Sequence, residues 1–172
     1  MNLFVLDENP AIAAQLNQDT HVRKICLEAT QLLTNAFSES QLRFAPQTQT
    51  GSVRKYSHIH HPVSKWTIET MGNFNWALEH AIGLAEEFYY RFEKEHFCNI
   101  FIKWASIHKP ENVKAGKITE HPQCFKQYPN LIVPNNPVEG YRNYYKVAKR
   151  SFNIRGKTVP AQWTGRQTPE WF

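Results

Sequence analysis

Apolar side chains recur every three or four positions from Thr20 to about Phe37, with Val22, Ile25, Cys26, Ala29, Leu32, Leu33 and Ala36 in step. That spacing puts them on one face of an α-helix, and Asp19 stands where its N-cap belongs. The stretch from Asn73 to about Glu95 repeats the pattern with Phe74, Ala77, Leu78, Ala81, Ile82, Ala85, Phe88 and Phe92. Gly72-Asn73 separates it from a preceding helix that Ser64 or Thr67 can cap. Asn9-Pro10 opens a short helix to about Gln15, with an Asn cap and Pro at the first position. Before it, Asn2 to Leu6 is an apolar run expected to lie extended against the core.

Ile100 to Ile107 is helix or strand by pattern alone, and Lys109-Pro110 ends it. Ser38 to Val63 and Glu111 to Asn136 lose the periodicity and read as long loops, the second broken by three prolines. Pro137 starts a last helix over Tyr141 to Phe152, and Trp163 to Phe172 is an irregular tail. The pattern therefore predicts a mainly α protein, a compact single-domain helical bundle over residues 1–172 with long loops.

Charge and ring content sharpen this picture. Aromatic residues make up 13% of the chain, so rings that can stack on a ligand carry much of the apolar surface. The net charge of +5 is concentrated: residues 137–172 hold seven basic side chains against Glu139 and Glu170, and the remainder is neutral. A polyanionic partner is expected to meet that basic aromatic segment. Cys26, Cys98 and Cys124 are odd in number and lack C-x-x-C spacing, so they are expected to be reduced and structural. No run approaches the roughly 18 apolar residues of a membrane span, and Met1 to Leu6 is too short for a signal peptide. A cytoplasmic protein that does not enter membranes is expected.

Two constellations can carry chemistry. At 100° per residue, His21, Lys24, Glu28, Gln31 and Asn35 fall within about 80° beside the apolar face of their helix. A border position half desolvates a carboxylate and lets a cation hold it, which suits a general base or electrostatic stabiliser; the alternative is a solvated flank with a Lys24–Glu28 contact. The second constellation is Tyr141, Arg142, Tyr144, Tyr145, Lys146, Lys149 and Arg150 with Trp163, Arg166 and Trp171, where rings would stack on bases and cations neutralise phosphates. There too the rings can instead be core and the charges their solvated edge. His61 and Trp66 form a candidate pocket wall. His58, His60 and His61 have no Cys or carboxylate at ligand spacing, so neither a metal nor another cofactor is expected. Without G-x-x-x-x-G-K, G-x-G-x-x-G or G-x-S-x-G, a P-loop nucleotidase, a Rossmann oxidoreductase and a nucleophile-elbow hydrolase lose their support.

Residues Asp19 to Glu28, with His21 and Glu28 seven apart, resemble the helix of the phage-type pyrimidine-dimer DNA glycosylases that bears a His and the catalytic Glu. The later order, His61-Pro62 before a long helix and then an aromatic-basic C-terminus, is also similar. More closely, the whole chain resembles a group of phage-encoded proteins with D-x-x-P, H-V-x-K-x-x-x-E, H-P-x-x-W, Y-R-x-Y-Y and W-x-x-R-x-x-P-x-W-F. These are represented by Asp7 to Pro10, His21 to Glu28, His61 to Trp66, Tyr141 to Tyr145 and Trp163 to Phe172. The resemblance implies an all-helical fold, DNA as substrate, base flipping, and Glu28 supporting attack at the glycosidic carbon. In the glycosylases the nucleophile is the terminal α-amine, bared when Met is removed before a small residue. Here Asn2 is expected to keep Met1 in place, and Leu27 stands where the family has Arg, so the implied chemistry is a monofunctional glycosylase or another reaction on a flipped base.

The expected function is thus a DNA-binding, base-flipping, glycosylase-like enzyme acting on pyrimidines, with Glu28, His21 and Lys24 at the sugar. His61, Trp66, Tyr141, Arg142, Tyr145, Lys149, Trp163 and Arg166 would bind substrate. The alternatives are a phage counter-defence protein that binds or cleaves a nucleotide, and a non-catalytic DNA-binding accessory protein. The enzymatic expectation demands that the Glu28 stripe and the aromatic-basic tail line one groove.

Overall fold

Asn9 Oδ1 accepts the N–H groups of Ala11 and Ile12, and Pro10 follows at the first helical position, so α1 spans Pro10–Leu16. The computed structural model describes residues 1–172. Its second helix, α2 over Asp19–Thr34, is capped by Gln18, whose side chain accepts the Thr20 N–H; Asp19 is the first helical residue. A short helix, α3 (Glu39–Leu42), lies in the segment expected to be loop. Ser38 and Gln41 cap it reciprocally, satisfying two otherwise orphaned N–H groups. Helix α4 runs over Pro62–Glu69 and begins at His61, whose ring accepts the Val63 N–H, so Ser64 and Thr67 lie within the helix.

Thr70 separates α4 from α5 (Met71–Phe92) and caps it through Asn73. Gly72 has a different use from the break expected of it. A Cβ there would run into the backbone of Lys117 and Ile118, which crosses the first turn of α5. Glu93 ends α5 in the left-handed conformation at φ 53°. The ambiguous run becomes α6 (Asn99–Ile107), and Pro129–Leu131 forms one 3-10 turn. Helix α7 covers Pro137–Ala148, ending short of Phe152. The chain then turns into an antiparallel pair, β1 (Ser151–Ile154) with β2 (Lys157–Pro160), where Ser151 faces Pro160. Seven helices and this one two-stranded sheet make the protein mainly α.

Helix α5 is the central rod on which α1, α2, α4 and α6 pack. Gly83 lets α1 come close, since a Cβ there would stand 2.8 Å from that of Ala14. The apolar face read from α2 is buried throughout, and 33 buried residues form one hydrophobic cluster. Leu3 to Leu6 run through this cluster as expected. Phe4 takes a positive φ of 39°, a strained conformation for a bulky residue that packing must impose. Its ring stacks on His21 at 4.4 Å and meets Tyr141, Tyr144 and Tyr145. No helix is long and apolar enough to cross a membrane.

Candidate functional site

Helix α2 sets Glu28 on the flank facing the N-terminal segment. Its carboxylate accepts the backbone N–H of Asn2 at 2.8 Å and lies 3.6 Å from the α-amino group of Met1. Lys24, one turn earlier, approaches the other oxygen at 3.7 Å. The Glu28 side chain keeps 13% of its exposure and that of Lys24 keeps 67%, so a lightly solvated carboxylate sits between two positive charges. The Met1 sulfur turns toward the Ser64 hydroxyl on α4. His61, at the head of α4, belongs to the same patch. Partial burial holds its pKa below the ordinary value, with the Met1 amine, His58 and Lys126 adding to that and Glu28 opposing it. The Glu28 carboxylate and the Met1 amine are thus neighbours.

His21 is not part of this patch. It is buried, stacked on Phe4 and hydrogen-bonded through Nδ1 to the Tyr145 hydroxyl. Burial first, then Lys149 and Lys24, keep its pKa well below the ordinary value, so it is a neutral core imidazole rather than a proton donor at a sugar. Tyr145 is fully buried and donates to Asn17 Oδ1, while the Tyr141 hydroxyl lies against Asn2 Oδ1 and the Pro122 carbonyl. Burial pushes both phenols up. Neither ring is available to a base.

The same correction applies to most of the aromatic-basic tail. Trp163 is buried and its Nε1 donates to the Leu16 carbonyl at 2.9 Å. Arg142 donates to the Leu6 carbonyl, pairs with Asp7 at 3.3 Å and lies over Trp171. Arg166 pairs with Glu87 at 2.5 Å and stacks on Tyr90, and the Glu87 hydrogen bond raises its pKa. Behind it Arg91, with no side-chain exposure, bridges Glu87 and Asp19 and donates to the carbonyls of Asn17 and Gln15. Thr164 closes the cluster by donating to Asp19. The tail therefore straps the N-terminal end of α2, nine residues and roughly 13 Å along the axis from Glu28. The stripe and the tail do not line one groove.

Lys149 is the exception. Its ammonium lies over the Tyr144 and Phe152 rings near the start of α2, and the residue is half-buried. Trp66, midway along α4 and five residues after His61, is buried and donates to the Thr119 carbonyl. It edges a cleft of about 570 Å³ with Trp76, His121, Glu8 and the first turn of α7, so His61 and Trp66 do not share a pocket. His121, in the wall of that cleft, and His80, stacked behind Trp76, are buried, and burial lowers their pKa values to about 3 and about 4. His58, His60 and His61 join no cluster of three or more metal-ligating side chains. The three thiols are free, and burial pushes each of them up.

No family model, curated protein or solved structure matches this chain. The approach of Met1 and Asn2 to Glu28, and of Lys126 to His61, joins segments far apart in sequence, and periodicity holds no trace of it. The Asp19–Arg91–Glu87–Arg166 network has one legible sign, the four-residue spacing of Glu87 and Arg91 on α5.

Proposed function

We propose that the chain is a single-domain helical protein that binds DNA and acts on a pyrimidine at Glu28 as a glycosylase-like hydrolase. Lys24, His61 and Lys149 would supply the substrate contacts that the enzymatic expectation requires of Trp163 to Phe172, which fold away from Glu28. The contiguous core supports one domain, and free thiols suit a reducing cytoplasm. The observation that carries the chemical reading is the setting of Glu28, a carboxylate at the edge of the surface held between the Met1 amine and Lys24. There it would stabilise oxocarbenium-like charge on a deoxyribose or orient a water toward it. Exposed Lys24 would protonate or hydrogen-bond the departing base, while His61, Lys126 and Lys149 would face phosphates. His21 acts only behind this site, filling the core under Lys24 and Lys149.

The test compares wild type with Glu28→Gln on duplexes carrying thymine dimers or 5-substituted pyrimidines, scoring released base. A loss of about 100-fold or more is expected, the range of a lost charge stabiliser or acid-base group. Equal yields would remove Glu28 from the reaction. One observation favours a second reading, a non-catalytic DNA-binding protein: Glu28 already accepts the Asn2 N–H and so ties down the N-terminal segment. For that reading the Gln variant keeps both DNA affinity and biological function.

A further inference from the structure

The seven cations of residues 137–172 divide sharply once folded. Arg142 and Arg166 are neutralised by Asp7 and Glu87. Lys146, Lys149, Arg150, Arg155 and Lys157 form no ion pair, and residues 140–169 contain no acidic side chain to supply one. These five cluster on the last turn of α7 and on the β1–β2 arm.

The arm is built to project. Arg155 and Gly156 make a two-residue turn with φ values of 51° and 79°, the left-handed pair whose twist matches that of a hairpin. Asn153 Oδ1 accepts the Gly156 N–H and closes the turn, so its side chain is spent internally. Gly156 has open space around it, and Arg150, Arg155 and Lys157 are exposed. Only the base is fastened, by the Ala161 N–H to the Arg150 carbonyl and by Phe152 packed edge-on against His21 at 5.2 Å. A four-residue pair of strands pinned at one end adds little to the core and is marginal by itself.

We infer that this arm, with the α7 end that bears it, is the backbone grip for duplex DNA, its tip cations seated on phosphates beside a groove. This assignment rests on the DNA-binding reading above. A two-stranded ribbon fits the roughly 12 Å width of a major groove. The tip offers cations and no free amide side chain, so it neutralises phosphates and does not read bases. Through Phe152 the arm is anchored on α2 at His21, one turn before Lys24 and two before Glu28, which places the grip at the edge of the Glu28 patch.

The experiment measures affinity of the full chain for a 20-bp duplex between about 50 and 200 mM salt, for wild type and the double variant Arg155→Ala/Lys157→Ala. A second double variant, Lys94→Ala/Lys109→Ala, removes the same charge from exposed positions elsewhere. The arm variant is expected to lower the slope of log affinity against log salt by about two, near 0.9 for each phosphate no longer neutralised, with an unchanged melting temperature. The control is expected to leave the slope as in wild type. An unchanged slope in the arm variant, or an equal drop in the control, overturns the assignment while wild-type binding upholds the DNA reading. Failure of wild type to bind any duplex removes both. Loss of binding to phosphatidylserine vesicles by the arm variant, with its DNA slope intact, gives the arm to a membrane surface and overturns the assignment.

Discussion

Helix α2 carries an acidic residue at its head, Asp19, and another nine residues on, Glu28, and they have opposite surroundings. Asp19 is enclosed by Arg91, whose side chain has no exposure, and by both donors of Thr164. Glu28 meets a terminal amine, one backbone N–H and a largely exposed lysine. The two side chains are about equally exposed, at 16% and 13%, so the difference lies in their partners: the first carboxylate is consumed in joining α1, α2, α5 and the C-terminal tail, while the second is held on one oxygen only by an exposed lysine. Similar residue types on one helix thus hold the fold together at one end and leave chemistry open at the other, and partners distant in sequence decide which.

Breaking the enclosed end should have the largest effect. Arg91→Met leaves a nearly buried Glu87 with Arg166 as its one cationic partner and deprives two carbonyls of their donor, and a loss of about 3 kcal/mol in denaturant unfolding is expected. Acid attacks the same interior. His21, His80 and His121 are held neutral in the fold, the last two with pKa values of about 4 and about 3. The unfolded chain binds protons from about pH 6.5 downward, so it gains them before the native state does. Their contribution is complete above that pH and declines toward pH 4, roughly 1 kcal/mol per histidine for each unit. Thermal melts from pH 7 to 5 should show a falling midpoint, and a flat profile would mean these rings are accessible. Smaller again is Tyr145→Phe, which removes the hydroxyl shared by His21 and Asn17 and should cost about 1–3 kcal/mol in the same unfolding experiment.

The contrast also bears on what a sequence can reveal. Helices α2 and α5 are legible because their apolar period runs unbroken for several turns and burial follows it. Helix α3 carries a readable signature as well, the capping pair Ser38 and Gln41 three residues apart, hidden among loop-like neighbours. The hairpin escapes because its turn is Arg-Gly rather than Asn-Gly or Asp-Gly, so nothing in the sequence pattern stops the α7 period before Phe152. The tail misleads for a deeper reason. Rings and cations have the same composition whether they face a polyanion or their own core, and only Asp7 and Glu87, far away in the chain, separate Arg142 and Arg166 from Arg155 and Lys157. The Glu28 patch is half legible: Lys24 follows from helical spacing, whereas the Asn2 amide does not.

The two carboxylates can be set against each other directly by preparing Asp19→Asn and Glu28→Gln side by side, and measuring melting temperature and pyrimidine release on the same samples. Expected is a clear fall in melting temperature for Asp19→Asn with release per folded molecule retained, and a nearly native melt for Glu28→Gln with release abolished. Full release by Glu28→Gln, whatever its melting temperature, would contradict the assignment of chemistry to Glu28.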